Sequence, residues 1–173
     1  MKNYRVPTLT IAGSDSSGGA GIQADLKTFS AIGTYGMSVI TAITAQNTEG
    51  VFDVEELSSE IIKSQIKAVC EDIPPKAIKI GMVSSPKIIK DIVESLEIYP
   101  CEYVVVDPVM ISKSGYSLLR PEAKENLIKY LIPKAYIVTP NVPEAEEISS
   151  IKIKTIEDMK KAGNIILNMG PKY

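Results

Sequence analysis

Residues 9–33 read LTIAGSDSSGGAGIQADLKTFSAIG, and the order of residue types in this stretch decides the fold. The apolar run that begins at Val6 and continues through residues 9–12 stops at Gly13, as a buried strand does. The glycine-rich turn GSDSSGGAG follows at 13–21. From Gly21 onward Ile22, Leu26, Phe29 and Ile32 recur at helical spacing, and Gly33 closes the helix. Strand, glycine loop, helix is the unit that results.

The same alternation continues outward. Residues 39–44 form a second β-rich run. Ser58 is a helix N-cap ahead of the stripe Ile62, Ile66 and Val69, which predicts a helix over 58–72. Residues 77–80 read as a third strand, and Ser85-Pro86 opens a helix by the cap-then-proline signature. Residues 103–106 (YVVV) are a fourth strand and Pro121 starts another helix. Residues 136–139 are a fifth strand, Pro143 starts the helix after it, and a last amphipathic helix covers about 155–169. Strands without polar alternation, each followed by a helix, mean a mostly parallel sheet with helices on both faces. The fold class expected is therefore a doubly wound α/β layer.

Composition narrows the chemistry. The chain has 173 residues, 45% of them hydrophobic, and a formal charge of −2 with neither sign gathered into a block, which argues against nucleic acid as a partner. There is no histidine, so any catalysis must run on carboxylates, lysines, thiols, amides or main-chain dipoles. Cys70 and Cys101 lie far apart in no motif, and the opening residues MKNYRVPTLTIAG carry no signal-peptide pattern, so a reduced cytoplasmic protein is expected. The longest apolar stretch, GMSVITAITA at 36–45, is about half of the ~20 residues a membrane helix needs, and no membrane association is expected.

In a doubly wound sheet, ligands sit at the carboxyl ends of the strands. The unusual polar clusters all fall on that rim: GSDSSGGAG, Gln46-Asn47, Gly81-Met82-Val83, Asp107-Pro108-Val109-Met110, and Pro140-Asn141-Val142-Pro143-Glu144. Each has a structural reading as well: a tight connection, a strand-ending turn, a proline and a carboxylate in a first helical turn, or core methionines. Their convergence on one rim is what points to a small-molecule site. Gly19, Gly21 and Ala24 fit the loose G-x-G-x-x-A dinucleotide pattern, but Gln46 and Asn47 stand where the ribose-binding acid belongs. No Walker A loop is present either.

Residues 9–51 (LTIAGSDSSGGAGIQADLKTFSAIGTYGMSVITAITAQNTEGV), KIGMV from Lys79, VVVDPVMISKSG from Val104 and TPNVPEAEEI from Thr139 closely resemble the hydroxymethylpyrimidine and phosphomethylpyrimidine kinases of thiamine biosynthesis, which have the ribokinase-like fold. The resemblance implies ATP- and Mg2+-dependent phosphorylation of 4-amino-5-hydroxymethyl-2-methylpyrimidine and then of its monophosphate. It implies that Gln46 and Asp25 bind the aminopyrimidine, with Gly13, Ala20, Met82 and Val109 lining the ring. An amide suits the edge of a heterocycle that shows an amino group beside a ring nitrogen. Asn141 and Glu144 form the Asn-x-x-Glu element that organises magnesium and nucleotide phosphates in such enzymes, and Asp107 is a second acid contributing to metal and nucleotide. Residues 48–54 are the candidate flap, and a homodimer is implied for the full-length chain.

The resemblance also implies that residues 1–173 are one kinase domain lacking its C-terminal nucleotide and anion-hole portion. The family's GTGC-type turn, with the group that activates the hydroxyl, is expected beyond Tyr173, so no catalytic base is assigned here. Two alternatives stand beside the pyrimidine kinase: a pyridoxal or pyridoxine kinase sharing the Asn-x-x-Glu and Asp-Pro-Val elements, and a non-catalytic fragment that binds the pyrimidine.

Overall fold

Leu9, Ile11, Ile78, Ile80, Val104, Val106 and Val138, drawn from four strands, meet on one face of a six-stranded sheet and form its main core. The computed structural model describes residues 5–110 and 121–173; Met1–Tyr4 and the stretch Ile111–Gly115 of the resembling motif lie outside the described residues. The elements run β1 (Pro7–Asp15), α1 (Gly21–Ala31), β2 (Tyr35–Gln46), β3 (Val51–Glu56), α2 (Ser59–Asp72), β4 (Ala77–Ile80), α3 (Pro86–Ile98), β5 (Tyr103–Val106), α4 (Pro121–Asn126), β6 (Ile137–Val138), α5 (Val142–Ser149) and α6 (Ile156–Leu167).

The sheet order is β3-β2-β1-β4-β5-β6, parallel except for β3, which returns antiparallel to β2 at one edge. From β1 the chain winds through α1 to β2 in one direction, and from β4 through α3 to β5 in the other. Right-handed crossovers of opposite direction place α1 on one face and α3 on the other. The strand order reverses between β1 and β4, so the crevice at a topological switch point opens there.

Local signals explain the boundaries. Ser58 accepts from the Ile61 amide at 3.4 Å and Ser85 from the Ile88 amide at 3.3 Å, each capping the helix that follows. After α4 the helix widens into a π turn at Leu127–Leu131 and then a 3-10 turn at Ile132–Lys134, with Pro133, which has no amide hydrogen to donate, in the first positions of that turn. β2 is longer than the run at 39–44 because it pairs with β1 along its whole first half and with β3 along its second. The ladder of β6 is bracketed by Tyr136 N donating to Val104 O and Thr139 N donating to Val106 O, which accounts for the four residues expected there. Ile32 departs from expectation: it ends the helical stripe 69% exposed, because it is the C-cap and turns away from the sheet.

On the main-core side, α2 and α3 are clasped by Asp91, which is 5% exposed and accepts from Ser59 Oγ, from Lys63 Nζ at 2.9 Å and from Lys87 Nζ at 3.5 Å. Burial alone would push its carboxyl up. The hydrogen bonds of Ser59 and Lys63, with the charges of Lys63 and Lys87, outweigh burial and hold it below its ordinary value. The opposite face carries α1 over β1 and β2. No helix among the described residues is long and apolar enough to cross a membrane.

Candidate active site

The switch-point crevice is a cavity of about 630 Å³, within the range of small-molecule sites. Its walls come from the ends of β1, β2, β4 and β5, the first turns of α1, and the turn between β2 and β3.

The glycine loop is organised from within by Asp15, a residue only 3% exposed. One carboxylate oxygen accepts from Ser17 N and Ser17 Oγ, both at 2.8 Å; the other accepts from Gly19 N at 2.9 Å and Ala20 N at 2.8 Å. Gly18 N donates to the Asp15 carbonyl at 3.0 Å. Burial would raise the Asp15 carboxyl, but the bonds from Ser17, Ala20 and Gly19 prevail and lower it. Gln23 holds the base of the loop, accepting from Asp15 N and donating to Ser14 Oγ. Gly21 has φ +54, and a side chain there would press into the Gly13 carbonyl, so the turn requires glycine. The amides that would cradle a phosphate in a dinucleotide loop are already bound to a carboxylate of the same chain. The glycine loop therefore serves as a wall of the cavity.

Gln46, at the end of β2, has its main chain pinned to Ser16: Ser16 Oγ donates to Gln46 O at 2.7 Å, and Gln46 N lies 2.9 Å from the same hydroxyl. Its side-chain Oε1 accepts from Thr44 Oγ1 at 3.2 Å, and its Nε2 makes no hydrogen bond among the described residues. Asp25 projects from α1 into the same cavity. Its Oδ2 accepts from Thr10 Oγ1 at 2.6 Å and from Lys79 Nζ at 3.2 Å, whereas Oδ1 accepts nothing among the described residues. Two residues that line the cavity thus each keep a polar atom, one donor and one acceptor, without a partner among the described residues. Apolar surface comes from Ala20, Met82 and Val109; Gly13 lets Met82 approach so closely that an added Cβ would lie 2.9 Å from its terminal methyl.

Asp107 also lines this cavity: its amide continues the ladder to Ile80 O, and its Oδ2 is 3.5 Å from the Lys79 Nζ that also holds Asp25. Asn141 and Glu144 sit at the end of the next strand, outside the cavity wall. They form a capping box in which Asn141 Oδ1 accepts from Glu144 N and Glu144 Oε2 accepts from Asn141 N, each at 2.9 Å. Glu144 is 6% exposed, and burial pushes its carboxyl up; the charge of Asp107 adds to this, against opposing bonds from the Asn141 and Met110 amides. Gln46, Asp25, Gly13, Ala20, Met82, Val109 and Asp107 therefore share one cavity, whereas Asn141 and Glu144 are not among the residues that line it.

Residues 47–51 close one side as a hairpin turn: Asn47 Oδ1 accepts from Glu49 N, and Asn47 N donates to Gly50 O. Of the candidate flap at 48–54, residues 48–51 line the cavity and 52–54 belong to β3. No cluster of three or more potential metal-binding side chains of the His, Cys, Asp or Glu type occurs among the described residues. Cys70 and Cys101 are outside the cavity wall, and burial pushes both thiols up. Sequence reasoning missed Asp15 and Lys79. The Asp-x-Ser spacing of an Asx turn and a lone lysine in the apolar strand AIKI are the signals that mark them.

Residues 15–173 match the family described as Phosphomethylpyrimidine kinase. The hydroxymethylpyrimidine/phosphomethylpyrimidine kinase of Bacillus subtilis (strain 168) is 50% identical over 165 residues, which cover 95% of this chain and 61% of that protein; the chain spans about that share of its relative's length. A crystal structure of a phosphomethylpyrimidine kinase from Clostridium difficile 630 is 76% identical with a TM-score of 0.92, covering 97% of this chain and 73% of that one. The pyridoxal kinase of Staphylococcus aureus, solved in complex with pyridoxal, is 44% identical with a TM-score of 0.88, covering 98% and 61%.

Proposed function

The chain belongs to the phosphomethylpyrimidine kinase family, and from that premise we propose that it binds 4-amino-5-hydroxymethyl-2-methylpyrimidine and its monophosphate for ATP-dependent phosphorylation in thiamine biosynthesis. The observation that carries this reading is the cavity in which the unengaged Nε2 of Gln46 and Oδ1 of Asp25 stand beside the apolar surfaces of Met82, Val109 and Ala20. A flat aminopyrimidine needs that combination: apolar walls for its faces and a donor and an acceptor for its polar edge.

Asp107, which shares the Lys79 ammonium with Asp25, lines the cavity on the side we assign to the nucleotide. With Glu144 it offers oxygen, the donor type that Mg2+ takes, and a buried carboxyl pushed up by burial and by a neighbouring acid is one that a cation would relieve. Asn141 and Glu144 would then hold Mg2+ and the nucleotide phosphates from the start of α5. Bound Mg2+ would offset the charge on the transferring phosphoryl group. This chain's residues contribute by orienting the hydroxymethyl group toward Asp107 and by excluding water from the ring. The group that takes the hydroxyl proton we place outside residues 1–173, on the family resemblance. We also propose a homodimer for the full-length form, on the same ground, and a cytoplasmic location, on the two free cysteines.

Calorimetry with the pyrimidine and with ATP tests the reading. Binding of the pyrimidine, weakened by Gln46→Leu with ATP binding unchanged, is expected; equal loss for both ligands overturns the assignment. The likeness to a pyridoxal kinase favours a second reading in which pyridoxal enters the same cavity. Titration with both ligands separates the two, and tighter binding of pyridoxal than of the pyrimidine would favour the second.

A further inference from the structure

Lys79 is a charged side chain in the middle of the sheet, on β4 between β1 and β5, aligned with Thr10 on one side and Val105 on the other. Its neighbours Ile78 and Ile80 enter the main core, while Lys79 points to the opposite face and is 24% exposed. An ammonium so placed needs partners, and it has two: Asp25 Oδ2 at 3.2 Å and Asp107 Oδ2 at 3.5 Å. All three residues line the cavity. Gly81 makes the room, since a Cβ there would lie 2.8 Å from Lys79 Nζ and 3.1 Å from the Ala12 methyl.

We propose that Lys79 is a positioning residue for the acceptor substrate. Together with Thr10 it fixes Oδ2 of Asp25, so that Oδ1 is the oxygen presented to the pyrimidine. The same ammonium is 3.5 Å from Asp107 Oδ2, so it also screens Asp25 from that neighbouring carboxylate. This rests on the functional reading above and assigns a residue that reading does not use. Without the ammonium, Asp25 keeps only the Thr10 hydroxyl as a restraint and faces the charge of Asp107 unscreened.

A double-mutant cycle in the intact protein tests this, with calorimetric titration of 4-amino-5-hydroxymethyl-2-methylpyrimidine and of ATP into wild type, Lys79→Met, Asp25→Asn and the double variant. Lys79→Met is expected to raise the pyrimidine Kd roughly tenfold, the scale of one hydrogen bond to a charged group, and to move the ATP Kd by a smaller factor, through Asp107. In the Asp25→Asn background the same change should add less than about twofold, because its route is already cut. Independent, multiplicative effects, or equal losses for both ligands, overturn the proposal while leaving the functional reading intact. A wild type that binds ATP and not the pyrimidine overturns that reading and this inference with it. Should Lys79→Met fail to fold, a crystal structure of the wild type with the pyrimidine decides: Asp25 Oδ1 on the ligand with Oδ2 still on Lys79 supports the proposal, and Oδ2 or Lys79 itself on the ligand refutes it.

Discussion

Replacing Asp15 with Asn removes a charge and changes almost nothing in shape, so it isolates what the carboxylate does for the glycine loop. The amide oxygen can still accept from Ser17 N and Ser17 Oγ, but the new NH2 then faces Gly19 N and Ala20 N, donor against donor. Two bonds to a charged acceptor are lost, at about 1.5–3 kcal/mol each; Gly19 and Ala20 are exposed and water can replace part of this, which leaves a net destabilisation of about 1–3 kcal/mol. The sign with pH is fixed by the lowered carboxyl of Asp15. A group whose folded value lies below its unfolded one contributes stability that is present above the unfolded value, near 3.9, and is lost as pH falls through the folded value. Urea unfolding of wild type and Asp15→Asn at pH 7, 4 and 3 should therefore give a gap that is full at pH 7 and narrows below pH 4. An Asn variant as stable as wild type at pH 7, or a gap that does not change with pH, refutes the reasoning.

Gln46→Leu should weaken pyrimidine binding by about 1–3 kcal/mol, the value of a buried polar partner left unsatisfied, with ATP affinity unmoved in the same calorimeter. Glu144→Gln keeps an acceptor for the Asn141 amide and so preserves the cap while removing the charge; the Mg2+ concentration needed for phosphoryl transfer in the intact protein should rise roughly tenfold, and an unchanged requirement would make Glu144 a helix-start residue only. Asp91→Ala unclasps α2 from α3 and should lower the unfolding free energy by about 1–3 kcal/mol in urea titration without changing pyrimidine affinity, since Asp91 lies on the face of the sheet opposite Lys79 and Asp25.

The parts of this molecule that the sequence discloses are those governed by local chemistry. β4 and β5 have the bounds expected of short apolar runs, and Ser58 and Ser85-Pro86 mark helix starts because a side-chain oxygen and a fixed φ act within one turn. The rim location of the site follows from strand order alone. The network inside the cavity was not legible. Asp15 looks like one more polar turn residue until four donors are seen to converge on it. Lys79 looks like an interruption of a strand until Asp25, fifty-four positions earlier, and Asp107 are folded against it. Ile32 illustrates the reverse case, a residue with the right spacing that the helix end turns into solvent. Asn141 and Glu144 are explained locally: they cap α5, and the capping box accounts for their spacing without a ligand.

A crystal structure of the protein with 4-amino-5-hydroxymethyl-2-methylpyrimidine and a non-hydrolysable ATP analogue tests the central claim most directly. The ring is expected between Met82 and Val109, with its polar edge on Gln46 Nε2 and Asp25 Oδ1 and its hydroxymethyl group toward Asp107. A pyrimidine bound elsewhere on the sheet, or an analogue whose phosphates occupy the glycine loop at Gly18–Ala20, contradicts it.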